Sequence, residues 1–210
     1  IIDFNLLDNV EDKLNIAGIG EVIGLYYSLC DYYSIRGLSP PEDLISNVER
    51  SVYNLITSLK GEKAIWLKLH AINLIEKCLI MRVAKDNQIG AGGDHLIAYA
   101  LEYHCRTGKD GNCRKLSHGK LVYLGSVAMA SLFPEWEYRF FSLKNLNLMD
   151  VGMKVGILEH EDLNLLVNML KNGLIPLALR MRPSRPTSLS ILSSDRIRNG
   201  WIRMLQQGTE

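Results

Sequence analysis

Three residues are of the types that hold a catalytic metal: Glu21, His95 and His118. One carboxylate and two imidazoles make a three-ligand set for zinc or iron(II), with a position left open for water or substrate. An ion held this way polarises a carbonyl or hydroxyl oxygen as a Lewis acid. Gly18-Ile19-Gly20 precedes the acid, Gly92-Gly93-Asp94 precedes His95, and Ser117 precedes His118. Glycine lacks Cβ and lets backbone approach whatever these side chains hold. The spacing predicts each ligand at or near a helix start. Spacing alone also fits a surface acid complementing a helix dipole and two structural histidines. His70 and His160 fall on ordinary helix faces and carry no assignment.

The cysteines offer a rival site. Cys30 and Cys78 fall on apolar helical faces and read as buried reduced thiols. Cys105 and Cys113 flank the turn-rich run Arg106-Thr107-Gly108-Lys109-Asp110-Gly111-Asn112, which suits a local disulfide. With His104 and His118 they could form another zinc site, but the spacing fits no CxxC pattern.

Helices must position the ligands. After a short apolar opening strand at residues 1–4, periodicity predicts a helix over 20–33 on Val22, Ile23, Tyr26, Leu29 and Tyr33. Pro41-Glu42-Asp43 opens a second helix that runs to Gly61, proline and acids suiting a first turn. Residues 64–84 read as a third helix, apolar almost all round and therefore central. A glycine-dense break, Gly90-Ala91-Gly92-Gly93, leads into a helix from His95 to about Cys105. Residues 118–133 form a fifth helix, stopped by Pro134. Two or three shorter helices follow, one opening near Glu161-Asp162 and one after the N-cap cluster Ser193-Ser194-Asp195. The fold class is all-α.

Composition bounds the function. The chain has 210 residues, 47% hydrophobic and 22% charged, as in a packed domain rather than a disordered one. Its 24 Lys+Arg against 23 Asp+Glu leave a net charge of +1, arguing against nucleic acid or an anionic membrane as partner. Charged residues interrupt every apolar run, so no membrane span is expected. The chain starts at Ile1 without the features of a signal peptide, and a cytoplasmic protein is expected.

At the ligand residues the sequence resembles a known superfamily, that of the iron-containing alcohol dehydrogenases and dehydroquinate synthases. The similarity is greatest to its sn-glycerol-1-phosphate dehydrogenase branch. Ala17-Gly18-Ile19-Gly20-Glu21-Val22-Ile23 resembles the segment presenting the first metal ligand, and Cys30-Asp31-Tyr32 resembles the family's Asp-Trp. Gly92-Gly93-Asp94-His95 resembles its Ser-Gly-Ser-Glu-His stretch, and His118-Gly119-Lys120 its His-Gly-Glu segment. Arg182-Pro183-Ser184-Arg185-Pro186-Thr187-Ser188-Leu189 resembles the branch's Arg-Pro-x-Arg-x-Thr-x-Leu. There are departures. Glu21 stands where the dehydrogenases carry Asp and the dehydroquinate synthases Glu. Asn87-Gln88-Ile89-Gly90-Ala91 replaces Ser-Arg-Pro-Ala-Ser, and Tyr99 stands where relatives often carry His. Lys120 replaces a Glu, and Pro186 an aromatic residue.

The resemblance implies that residues 1–210 form the helical metal-binding domain, the C-terminal half of a dehydroquinate synthase-like two-domain fold. A nucleotide-binding α/β domain of roughly 130–150 residues would precede it. The glycine run at 90–93 is no substitute, because no strand precedes it. The implied metal ligands are Glu21, His95 and His118, and Arg182 and Arg185 would counter a substrate phosphate. The implied reaction is NAD(P)-dependent reduction of dihydroxyacetone phosphate to sn-glycerol 1-phosphate for lipid synthesis. The expected partner is a small phosphorylated polyol or ketone, and a homo-oligomer is expected. The alternatives are a dehydroquinate synthase-like lyase and a non-catalytic helical interaction module with a vestigial metal site.

Overall fold

A computed structural model describes residues 9–59, 61–107, 116–139 and 147–207. Among these the regular structure is helical and no strand occurs. The chain runs through α1 (Asp12–Ser34), α2 (Glu42–Ser58), α3 (Lys63–Ala84), α4 (Gly93–Thr107), α5 (His118–Leu132), α6 (Leu148–Lys154), α7 (His160–Lys171), α8 (Leu174–Met181) and α9 (Ser194–Gln207). Short 3-10 segments follow α3, α5 and α8. The expected opening strand at residues 1–4 lies outside the described residues, as do Cys113 and most of the turn-rich run before it.

The hub is α5. Every residue from Leu121 to Leu132 is buried, and α5 packs along α1 on one side and α4 on the other. Those contacts are close because small residues meet backbone. A Cβ on Gly125 would lie 2.1 Å from the main-chain oxygen of Asp94 at the start of α4. One on Gly119 would lie 2.1 Å from the main-chain oxygen of Ala17 on α1. The far end of α5 is closed by α9. Arg203 donates to the Ser131 carbonyl and Arg196 to that of Leu132, satisfying acceptors that a helix C-terminus leaves open.

Three expectations need correction. The third helix is not central. α3 lies against α1 and α2, and Ile65, Ile72, Ile75, Leu79 and Val83 are exposed on its outer side. Periodicity reports how apolar a helix is, not how many neighbours cover it. For the same reason Cys78 on α3 is exposed, whereas Cys30 and Cys105 are buried thiols. Glu21, expected at a helix start, lies well inside α1, which begins eight residues earlier than the apolar stripe suggested. Its carboxylate is therefore not a first-turn acid.

Two helices, α6 and α8, extend the tail beyond the two elements that its cap signals marked. Asn147 caps α6, its side chain accepting from the Met149 amide at 3.0 Å. At the start of α7 the Asp162 carboxylate accepts from the Glu159 amide at 2.7 Å. It also pairs with Lys120 of α5 at 2.7 Å, which ties the tail to the hub. Lys120 is thus held in a largely buried ion pair.

Candidate metal centre

Three helices deliver the three ligand-type residues to one place. Glu21 projects from the middle of α1, His95 is the third residue of α4, and His118 is the first of α5. Glu21 Oε2 lies 3.3 Å from His95 Nε2, and Oε1 lies 3.5 Å from His118 Nε2. One ligand atom from each falls within 4.8 Å of the others. Zinc at about 2.0–2.1 Å from each donor in a tetrahedral set would separate neighbouring donors by about 3.3–3.4 Å. His95 and His118 meet different oxygens of Glu21, so the carboxylate bridges the two imidazoles, and the three donors would have to draw together to reach that spacing around one ion. Exposure is graded, from 5% for the His95 side chain through 25% for Glu21 to 45% for His118. The cluster therefore opens on the His118 side.

A second layer orients the ligands. Asp94 Oδ2 sits 2.8 Å from His95 Nδ1, leaving Nε2 to face Glu21 and the cluster. Asp94 is fully buried, and its other oxygen accepts from the Ser28 hydroxyl at 2.8 Å and the Gly92 amide at 3.1 Å. This carboxylate–imidazole arrangement is the one that fixes tautomer and ring angle in histidine metal ligands. His118 is steadied differently. Tyr99 stacks on its ring with centroids 5.8 Å apart and planes 23° apart.

Charge within the cluster is strongly coupled to burial. Burial alone pushes the Glu21 carboxyl up. The hydrogen bond with His95 and the charges of Lys77 and His95 outweigh it and hold Glu21 well below the usual carboxylate range. Burial lowers His95, but the charge and hydrogen bond of Asp94, with the hydrogen bond to Glu21, raise it to about 9.

Asp31 organises the approach to the site. Its carboxylate accepts from the Gly93 amide at 2.8 Å and the Ser188 amide at 2.6 Å. It thereby pins the start of α4 to the Arg-Pro-rich segment near the C-terminus. The glycine run fits this role, since Cβ atoms on Gly92 and Gly93 would crowd Asp31 and Met129. Close approach, not nucleotide binding, accounts for it.

The arginines of that segment occupy two settings. Arg182 is exposed, with its guanidinium carbon 5.5 Å from the centroid of Tyr99, the ring that stacks on His118. Arg185 is half-buried, and its Nε is buried without a hydrogen-bond partner among the described residues. Arg182 thus stands one aromatic ring away from the ligand cluster. Sequence reasoning missed Lys77, which reaches Glu21 from α3, and gave Asp94 no role. The signal for Lys77 was a lysine following Glu76 inside the apolar run from Leu74 to Met81.

No protein-family profile matches the chain. Curated relatives do. It is 26% identical over 200 residues to a glycerol-1-phosphate dehydrogenase, NAD(P)+, of Aeropyrum pernix, covering 90% of this chain and 51% of that protein. Proteins of the same name from Pyrobaculum islandicum and Pyrobaculum arsenaticum are 24% and 27% identical over 63% of this chain and 40% of their own length. The chain spans about half the length, or less, of the curated relatives it matches. Both the alignments and the ligand motifs thus lead to one conclusion: by sequence, the chain is a distant relative of the glycerol-1-phosphate dehydrogenases.

Proposed function

We propose that this chain is the metal-binding helical portion of an NAD(P)-dependent dehydrogenase, with dihydroxyacetone phosphate as its substrate and sn-glycerol 1-phosphate as its product. The observation that carries the reading is the convergence of Glu21, His95 and His118, with Asp94 behind His95. The relatives bear the name of a dehydrogenase, which supports that class of chemistry.

Zinc or iron(II), held by Glu21, His95 and His118, would supply Lewis-acid polarisation of the substrate oxygen. The chain's own residues do the rest. Asp94 keeps the His95 Nδ1 proton engaged and Nε2 directed inward. Tyr99 limits rotation of the His118 ring, on the side of the cluster that a small molecule can enter. Arg182 places positive charge over the Tyr99 ring beside that entrance, and Arg185, three residues on in the same segment, is assigned with it to the substrate phosphate, whose oxygens guanidinium groups match. The nicotinamide cofactor belongs to a nucleotide-binding domain outside residues 1–210, and the working enzyme is a cytoplasmic homo-oligomer.

A second reading, a dehydroquinate synthase-like lyase, draws on Glu21 alone; the Arg-Pro-x-Arg segment favours the dehydrogenase.

Metal analysis of the purified chain tests the site, with His95→Ala and His118→Ala as comparisons. Near-stoichiometric zinc or iron in the parent, lost from both variants, is expected. Equal metal content in all three would remove the site and the reading built on it. Nicotinamide oxidation with dihydroxyacetone phosphate tests the reaction. A polypeptide of residues 1–210 is expected to be silent alone and active once joined to a nucleotide-binding domain. Reduction of a non-phosphorylated ketone in preference would reject the substrate.

A further inference from the structure

Lys77 is the one charged side chain among the buried residues of α3. Its side chain is 8% exposed, and its Nζ lies 2.7 Å from Glu21 Oε2 and 3.1 Å from the Glu21 main-chain oxygen. Among the described residues, both of its hydrogen bonds go to Glu21. The ammonium therefore neutralises the only carboxylate of the triad, on the same oxygen that faces His95 Nε2 at 3.3 Å. Glu21 Oε1 is left to face His118.

A divalent ion entering this cluster meets a carboxylate whose charge is already balanced. With Lys77 in place, ion, ammonium and Glu21 together carry two net positive charges in a partly buried pocket. Without the ammonium they carry one. Like charges a few ångströms apart repel far more strongly there than in water. The lysine is tethered, so the competition is intramolecular and does not fade on dilution.

We propose that Lys77 is a built-in counter-cation of Glu21 that competes with a divalent ion for the Glu21–His95–His118 site, lowering the site's affinity for that ion. The inference rests on the metal-site reading above. The opposite role would be that of a supporting residue which orients Glu21, and the two differ in sign. Loss of an orienting partner typically weakens metal binding about 10- to 100-fold. Loss of a competitor strengthens it.

The experiment measures zinc affinity by chelator competition on the full chain, for the parent, Lys77→Met and Lys77→Gln. Methionine removes the charge, and glutamine keeps a hydrogen-bond donor should methionine prevent folding. His95→Ala is added to each to confirm that binding is at the triad. Both variants are expected to bind zinc at least about tenfold tighter than the parent, with the gain lost on His95→Ala. In the ion-free state they should melt at lower temperature than the parent, and zinc should raise their melting temperature more. A parent that binds zinc, with variants that bind equally or more weakly, would overturn the competition and leave the metal site standing. Failure of all three to bind would overturn both.

The parent supplies a further readout without substitution. Saturating zinc should displace Lys77 and speed its labelling by an amine-reactive reagent, followed by peptide mass spectrometry. Unchanged labelling of Lys77 in the zinc-loaded protein would count as refutation.

Discussion

Gly20 of α1 and Gly119 of α5 meet backbone to backbone: a Cβ built on Gly20 would stand 1.9 Å from the Gly119 main-chain oxygen. Each glycine adjoins a candidate ligand, Gly20 beside Glu21 and Gly119 beside His118. Gly125, on the other side of α5, meets the main chain of Asp94 beside His95 in the same way. The helix contacts that build the core are thus the ones that set the distances between ligands.

Substituting Gly20→Ala should therefore damage fold and site together. Overpacking usually costs about 1–3 kcal/mol. Here the obstacle is backbone, which cannot rotate aside, so about 3 kcal/mol or more is expected. Urea unfolding measures the loss, and metal content should fall even where the variant remains folded. A variant as stable as the parent would show that α1 and α5 do not approach this closely.

Asp94 tests orientation without removing a ligand. Asp94→Asn keeps the size and one oxygen but disturbs the acceptor at His95 Nδ1. Metal affinity should drop about 10- to 100-fold while melting temperature changes modestly. Unchanged affinity would mean that packing alone orients His95.

The Asp31 carboxyl gives a pH signature. Burial raises it above its ordinary value near 3.8, overcoming the lowering effect of hydrogen bonds from Ser188, Thr187 and Gly93. A carboxyl raised in the folded state binds its proton more readily there than when unfolded. Its stabilising contribution is full below the unfolded value and is lost as pH rises through the folded one. Asp31→Asn is neutral throughout. The stability difference should shift toward the parent as pH falls from about 7.5 to about 4.5. Urea unfolding across that range measures it, and a shift toward the variant would mean that the hydrogen bonds outweigh burial.

Glu21, His95 and His118 were marked less by spacing, which also fits a helix-dipole acid and two structural histidines, than by the motifs that resemble the dehydrogenase superfamily, and the three do converge. Long helices with an apolar stripe were readable too, whereas the seven-residue α6 and eight-residue α8 are too short for a repeat to show. The pairing of Gly20 with Gly119 was not, because a glycine signals a possible close approach without naming its partner. Lys77 was hidden for a related reason. Its role depends on how α3 lies against α1, and periodicity places residues on faces without saying which face meets which helix. That gap also made α3 look central.

Arg185 bears on the substrate. Its Nε is buried and has no hydrogen-bond partner among the described residues, which leaves a charged donor whose desolvation they do not offset. A phosphate oxygen is the kind of acceptor that would offset it, and Arg182 lies three residues away with its guanidinium beside Tyr99. A hydrogen bond to a charged group contributes about 1.5–3 kcal/mol, so Arg185→Ala should weaken glycerol 1-phosphate binding roughly 10- to 150-fold. Arg182 is exposed. Its charge is screened by solvent, and Arg182→Ala should have a smaller effect. Binding of glycerol, which has no phosphate, should be nearly unchanged in both. Calorimetry with the two ligands on metal-loaded protein distinguishes the cases. If Arg185→Ala weakens glycerol and glycerol 1-phosphate alike, the residue holds the Arg-Pro segment in place and the phosphate is bound elsewhere.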